Sequence, residues 1–285
     1  MLVICPTPIG NLDDTTTRQR EALANADVIA CEDTRRAGKL LELLGIERVD
    51  GRPRLHRYDD HTAEESTGEL LALLRAGKNV VLTSDAGTPT ISDPGYRLVK
   101  ACRHEGIEVT ALPGPVAALV ALSGSGLPTD RFFFEGFLPT GTEKRRERLE
   151  GLDELEVTVI IYASPHRIVD VLDDVQTVIG PERSICVARE LTKMHEEYLV
   201  DDVESVRNRL QQRDELHGEI VLCIAPAESD DEDEDSTWLE ADRAIKAMDE
   251  QGLRSRTIKD IVDELYDVPR SDIYDRIDAV TGDDS

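Results

Sequence analysis

The sequence has no CxxC pair and no HExxH, so it lacks the common zinc frameworks. Its five cysteines, Cys5, Cys31, Cys102, Cys186 and Cys223, are scattered, mostly among Val, Ile and Ala. That pattern reads as buried thiols in a reducing compartment, with no metal bound. There is no GxxxxGK[ST], which argues against a P-loop nucleotidase, and no GxGxxG after the first strand, which argues against a Rossmann dinucleotide site. Gly124-Ser125-Gly126 follows a helix instead, and a lone GxG says little. A GxSxG nucleophile elbow is missing too. No apolar run approaches the roughly 18–20 residues of a membrane span. The opening MLVICPTPIG is a short apolar strand without a basic stretch before it. A soluble, cytoplasmic protein with no membrane partner is the expectation.

Lysine is scarce among the bases, and bases are scarce against acids: 33 Lys and Arg face 59 Asp and Glu, for a net charge of −26. Such a surface repels RNA at low salt. In molar salt the Debye length falls to about 3 Å and long-range repulsion largely vanishes. Net charge bears on solubility and association, not on fold. The acidity reads as salt adaptation; an acidic protein with a cationic partner is the other reading. At 285 residues and 40% hydrophobic, the chain suits two domains and a small appendage.

Short apolar strands alternate with helical patterns through the first 115 residues. Strands are predicted at 2–5, 28–31, 79–83 and 108–112, and helices at 17–24, 34–44, 66–76 and 95–104. This alternation predicts a mostly parallel α/β sheet. An Ala-rich helix follows at 116–122. Beyond it, strands at 132–134, 157–162, 184–189 and 219–225, a basic helix from about Lys144 and a helix at 167–178 suggest a second α/β domain with mixed pairing. Residues 199–213 are hydrophilic. The run ESDDEDEDS at 228–236 self-repels and buries nothing, so it reads as a linker. Three helical patterns follow at 238–251, 256–266 and 271–280, with Pro269 separating the last two and Ser271 placed to cap the final one. The division is thus 1–122, 123–227, an acidic linker 228–236 and a helical appendage 237–285.

Four loops after predicted strands are rich in Gly, Pro, Ser, Thr and Asp. In open α/β sheets ligands bind beyond the carboxyl ends of strands, so such loops converging would form a pocket. TPIGNLDD (7–14) allows a tight turn at Gly10 and offers Asn11 and Asp13 as acceptors, as any strand-to-helix turn could. TSDAGTPTISDPG (83–95) is long for a plain turn. There Asp85 suits an ammonium or ribose hydroxyls, though its aspartates could equally cap the next helix. LPGPVAA (112–118) permits close approach of a flat ligand, or is ordinary helix entry. YASPHR (162–167) sets His166 and Arg167 at a helix start, which favours anions, although a lone His is more often structural. Two mixed clusters, EDTRR (32–36) and ARELTKMHEE (188–197), end strands and could be catalytic or self-neutralising.

Taken in order, TPIGNLDD, CEDTRRAGKLLELLGI, SDAGTPTISDPG, LPGPVAAL, FEGFLP, YASPHR, RELTKMHEE and HGEIVL cover residues 7 to 222. Together they resemble the bacterial ribosomal RNA small subunit methyltransferase I group of the tetrapyrrole methylase superfamily. The resemblance is weaker over the acidic run and the tail. It implies two α/β domains with S-adenosylmethionine in the cleft between them, no other cofactor, a homodimer, and 2′-O-methylation of a cytidine ribose in the decoding region of 16S rRNA, presented as free rRNA or as an assembled small subunit. Carried over by motif, Asp85, Ala86, Thr88, Pro113, Val116, Ala117 and Tyr162 would contact the cofactor, with Leu191 a looser assignment. The turn reads PGPVAA where the family often has Ser after the proline, so Val116 removes a hydroxyl that could bond the cofactor carboxylate.

Methyl transfer from a sulfonium is an in-line displacement to which alignment contributes heavily. A base would add typically 10²–10⁴-fold; the candidates are Glu32, Asp33, His166 and Glu196, each in a strand-end motif. RNA would meet Arg35 and Arg36, the run Arg52, Arg54, His56 and Arg57, the run Lys144, Arg145, Arg146 and Arg148, and Arg167, with Tyr58 and Tyr162 as possible stackers. Solvated faces balancing acids would look the same. A small-molecule methyltransferase acting on a tetrapyrrole carbon, and a non-catalytic RNA-binding assembly factor, are the alternatives.

Overall fold

Strands β1 (Leu2–Ile4), β2 (Val28–Cys31) and β4 (Val80–Leu82) are short runs of Val, Ile, Leu and Ala, buried nearly throughout. Such runs suit a parallel sheet covered on both faces. The computed structural model of the chain shows that sheet. With β3 (Arg54–Arg57) and β5 (Val109–Ala111), the order is β3-β2-β4-β1-β5, and every pairing is parallel. The structure describes residues 1–213, 215–227, 230–266 and 268–281.

The period-2 alternation of each strand sorts its side chains onto two faces. Leu2, Ile4, Val28, Ala30, Val80 and Leu82 pack with Leu70, Leu74 and Leu98 of helices α3 (Ala63–Arg75) and α4 (Tyr96–His104). Cys5, Ile29, Cys31 and Val81 pack on the other face with Leu23 and Leu41 of α1 (Thr17–Ala24) and α2 (Thr34–Leu43). Helix α1 starts on a capping box: the Gln19 amide donates to Thr16 Oγ1 at 3.2 Å, and the Thr16 amide donates to Gln19 Oε1 at 2.7 Å.

The second sheet has the order β6-β7-β10-β8-β9, built from β6 (Phe132–Phe137), β7 (Thr158–Ala163), β8 (Ser184–Arg189), β9 (Glu197–Asp202) and β10 (Ile220–Ile224). Only β6 and β7 run parallel, so pairing is mixed as the sequence suggests. Helices α6 (Thr142–Asp153), α7 (Ile168–Val178) and α8 (Val203–Gln211) cover one face. Helix α5 (Ala117–Ser125) covers the other, over Ile160, Cys186, Val221 and Cys223. Met1–Ala225 forms one compact unit holding both sheets. The expected division at 122/123 falls inside α5, because this helix belongs to the packing of the second sheet.

Pro226–Ser285 is a second unit of three helices, α9 (Asp230–Glu250), α10 (Ser255–Leu265) and α11 (Ile273–Thr281). Ala241, Ile245, Ile258, Val262, Ile273 and Ile277 form its core. The backbone from 230 to 236, read as linker, is helical; acidic residue types are favoured at a helix N-terminus by its dipole. Residues 228 and 229 of that run lie outside the described residues. Helix α11 begins at Ile273, later than a cap at Ser271 requires, and the Ser271 hydroxyl donates to Asp272 Oδ1 at 2.6 Å instead. Strand β3, RLHR, escaped the sequence reading because an edge strand need not be apolar. The hydrophilic 199–213 stretch resolves into most of β9, an edge of the second sheet, and α8. Among the described residues no helix is long and apolar enough to cross a membrane.

Candidate active site

The loop 83–95 leaves the carboxyl end of β4, a central strand, and it is tied to two neighbouring loops. The Thr7 and Gly87 backbones exchange hydrogen bonds of 2.9 and 3.0 Å, pinning it to the loop after β1. Thr7 Oγ1 donates to the Ser84 carbonyl at 3.2 Å. Thr88 Oγ1 donates to the Pro115 carbonyl at 2.8 Å, joining the Pro-Gly-Pro turn. That turn is packed so closely that a Cβ on Gly114 would lie 2.2 Å from Pro6 Cβ.

From the second sheet comes Tyr162. Its hydroxyl accepts the Ala118 amide of α5 at 3.3 Å, filling one of the open donors of that helix start. Phe134 and Phe137 meet the Tyr162 ring edge-on, with centroids 5.0 and 5.5 Å away. Between the two sheets these groups enclose a cleft of about 420 Å³, within the range of small-molecule sites. Asp85, Ala86, Thr88, Val116, Ala117 and Tyr162, all assigned from the sequence, line it together. Pro113 and Leu191 do not. Pro113 is exposed and its carbonyl accepts from Gln19 Nε2 at 3.0 Å. Leu191 is buried in the α5 core.

The sequence reading missed part of the lining: Ser92 and Asp93 from the 83–95 loop, Phe137, Ser164, and the stretch 218–221 at the start of β10. The motifs holding these residues were visible. Their convergence was not, because it depends on how β10 lies between β7 and β8.

Acidic groups crowd the cleft mouth. Glu32 Oε1 accepts the Asp85 amide at 3.2 Å, and burial pushes its carboxyl above the usual range. Asp85 Oδ1 accepts the Asp33 amide at 3.3 Å, and Asp85 Oδ2 lies 3.1 Å from the Arg36 guanidinium. Asp93 is half-buried, and desolvation together with the nearby Glu32 charge pushes it up to about 7. Among the described residues no group of three or more His, Cys, Asp or Glu is placed to hold a metal ion.

Of the four candidate bases, three are spent or misplaced. Asp33 caps α2 through the Arg35 amide at 2.8 Å and pairs with the Arg35 side chain, which holds its carboxyl far below the carboxylate range. Glu196 braces its own loop by accepting the Thr192 amide at 2.7 Å. His166 is exposed and is not part of the cleft lining. Glu32 does not line the cleft either, but its carboxylate holds the amide of Asp85, which does.

The tetrapyrrole (corrin/porphyrin) methylase family model matches residues 1–207. The ribosomal RNA small subunit methyltransferase I of Haemophilus influenzae is 42% identical over 278 residues, covering 96% of this chain and 95% of that protein. The chain belongs to the ribosomal RNA small subunit methyltransferase I family, within the tetrapyrrole methylases. The Synechocystis member of that name is 43% identical over 274 residues, 96% of each chain. A solved uroporphyrin-III C-methyl transferase from Thermus thermophilus, complexed with S-adenosyl homocysteine, matches in fold with a TM-score of 0.52 at 18% identity, over 79% of this chain and 96% of that one.

In this methyltransferase family member the expected RNA contacts divide sharply. Arg145 is 4% exposed and pairs with buried Asp174, Nε to Oδ2 at 2.6 Å, while its Nη1 donates to the Thr140 carbonyl at 3.2 Å. It is a core ion pair and cannot reach a phosphate. Arg146 shares Asp174 at 2.6 Å, and Arg148 forks onto Glu135 at 2.6 and 2.7 Å. Arg57 pairs with Asp59 at 2.6 Å but its side chain stays 66% exposed, and Arg167 donates to the Pro139 carbonyl at 2.9 Å. Arg35 and Arg36 keep side chains that are 90% and 71% exposed, and Arg36 lines the cleft. Tyr58 is 1% exposed and hydrogen-bonded to Thr67, so it is a core residue and not a base-stacking one.

Proposed function

We propose that this chain 2′-O-methylates a cytidine ribose in the decoding region of 16S rRNA, as free rRNA or within the small subunit, using S-adenosylmethionine. The observation that carries the reading is the 42–43% identity across 96% of the chain to proteins named for small-subunit rRNA methylation. The tetrapyrrole alternative has behind it the superfamily-wide model and a solved structure at 18% identity, neither of which fixes a substrate.

The cleft suits the cofactor on its own chemistry. Helix α5 opens on it at Val116 and Ala117 with no cap from the Val116 side chain, although Tyr162 takes the Ala118 amide, so its N-terminus favours a ligand carboxylate even without the hydroxyl that Val116 replaces. Asp85 offers a carboxylate for an ammonium or ribose hydroxyls. Ile9, Val116, Ile220 and Val221 give apolar wall, and Ala86, Gly87 and Ala117 leave room beside it. When bound there, S-adenosylmethionine supplies an activated methyl on a sulfonium. The residues of the chain hold the cleft loops rigid, through the Thr7–Gly87 and Thr88–Pro115 ties, and would exclude water with Phe137 and Tyr162. Arg35 and Arg36 on α2 meet the RNA backbone at the cleft mouth.

We read the protein as a cytoplasmic homodimer whose net charge of −26 is salt adaptation. Molar salt then screens surface repulsion to about 3 Å, and RNA binding leans on shape more than on phosphate attraction. The test is methyl transfer from labelled S-adenosylmethionine to small subunits from a strain lacking this gene, in molar KCl, with the label mapped by nuclease digestion and mass spectrometry. Label on a cytidine ribose of 16S rRNA is the expected result. Cofactor binding without label on any ribose overturns the substrate, and absence of cofactor binding overturns the enzyme.

A further inference from the structure

Asp93 stands at the end of the most constrained backbone in the cleft. Thr90 and Ser92 both adopt left-handed φ, +77° and +58°. Non-glycine residues are strained there and persist only where the surroundings over-determine them. Pro94 restricts Asp93 to extended backbone. Gly95 follows at φ +140°, where a Cβ would lie 2.7 Å from Leu82 Cδ2 and 2.9 Å from Thr90 Cγ2. Four consecutive positions, 92–95, are thus fixed so that a carboxylate lines the cleft.

That carboxylate does no evident structural work. Asp33, Asp59 and Asp202 accept backbone amides at turns or helix starts. Asp93 instead lies beside the Ser84 hydroxyl, whose proton goes to the Gly87 carbonyl at 3.0 Å, and among the described residues no arginine or lysine pairs with it. The charged groups facing it are Glu32 from the β2 end, Asp85 from its own loop and Asp60 from the turn after β3, with Tyr162 across the cleft. The cation nearby, Arg36, is held by Asp85. Like charges and partial burial both favour the protonated form, which is why its midpoint sits at about 7. A base poised near the working pH is the efficient one.

We propose that Asp93 is the catalytic residue that removes the proton from the attacking hydroxyl of the substrate. This rests on the 2′-O-methylation reading. The ribose 2′-oxygen forms its bond to the methyl carbon as the methyl–sulfur bond breaks. The electron pair of that bond stays on sulfur, which becomes a neutral thioether, and the hydroxyl proton ends on an Asp93 carboxylate oxygen before passing to solvent.

Three measurements test this together. In the wild-type protein with ¹³C-labelled aspartate carboxyls, one resonance titrates near pH 7 and is lost in Asp93→Asn. Under single turnover, kcat of the wild type rises with pH through about 7 to a plateau; Asp93→Asn lies about 10²–10⁴-fold lower without that limb, while its S-adenosylmethionine Kd by calorimetry stays within threefold. Glu32→Gln, which removes a facing negative charge, moves both the resonance and the kinetic limb to lower pH. An Asp93 resonance titrating in the ordinary carboxylate range, or an Asp93→Asn enzyme with kcat within threefold of wild type, overturns the proposal and leaves the methyltransferase reading standing. Wild-type enzyme that places no label on any ribose overturns that reading itself, whatever Asp93→Asn does.

Discussion

Removing the Asp174 carboxylate tests how the second sheet is held together. Asp174 on α7 and Arg145 on α6 have side chains 3% and 5% exposed. The two oxygens of Asp174 take Arg145 Nε and Arg146 Nε at 2.6 Å each. In Asp174→Ala, Arg145 keeps only the Thr140 carbonyl, so a guanidinium is left in the core nearly unpaired. Breaking a buried pair this way costs about 3–5 kcal/mol. Arg146 adds little to that figure, because its side chain is 43% exposed and water replaces its partner. At about 2–4 °C per kcal/mol for a unit of this size, Tm should fall by roughly 6–20 °C, and the urea midpoint should fall in parallel. Arg146→Ala should lose less than about 1 kcal/mol. The double variant Arg145→Met/Asp174→Leu should recover most of the loss, because well-packed apolar groups often replace a buried pair at no cost. It should also leave the dependence of RNA affinity on salt unchanged, whereas removing a real phosphate contact flattens that slope by about 1. An Asp174→Ala protein within 1 kcal/mol of wild type, or a flattened slope in the double variant, would refute the reasoning.

Glu197 bridges Arg213 and Arg189, which hold its carboxyl down from 4.5 to about 2. A depressed folded pKa gives stability that is present above pH 4.5 and lost as pH falls through about 2; Glu197→Gln should therefore flatten the urea midpoint over that window, and an unchanged profile would count against the bridge. Asp93 carries the opposite sign. Its raised midpoint means the folded state loses stability as pH rises from about 4 through about 7, so Asp93→Asn should be more urea-resistant than wild type at pH 8, with the difference shrinking toward pH 4. In Gly114→Ala the new methyl meets the Pro6 ring at 2.2 and 2.5 Å; overpacking of this kind costs about 1–3 kcal/mol, and calorimetry should show weaker S-adenosylmethionine binding as the two turns separate.

Local chemistry wrote much of this molecule into the sequence. The strand and helix of 17–31 appear where the Thr16–Gln19 capping box and the apolar run VIAC place them, because both signals act within a few residues. The cleft loops were legible as loops for the same reason. So were Asp85 and Thr88, since each sits in a motif that the chain carries intact, and Val116, where the Pro-Gly-Pro turn is kept although the usual Ser is not. Tertiary structure decided the rest. Arg145 and Arg146 are neighbours in a basic run, yet one is core and the other surface, because only α7, 28 residues on, supplies Asp174 beneath one face of α6. Strand β3 is polar and pairs only because β2 offers it a free edge. Asp93 reads as one more acid in an acidic chain. Its character comes first from burial in the cleft and then from Glu32, Asp85 and Asp60, of which Glu32 and Asp60 belong to other strand ends. Electrostatic character depends on which charges share a low-dielectric space, and that is fixed only when the sheets close on the cleft.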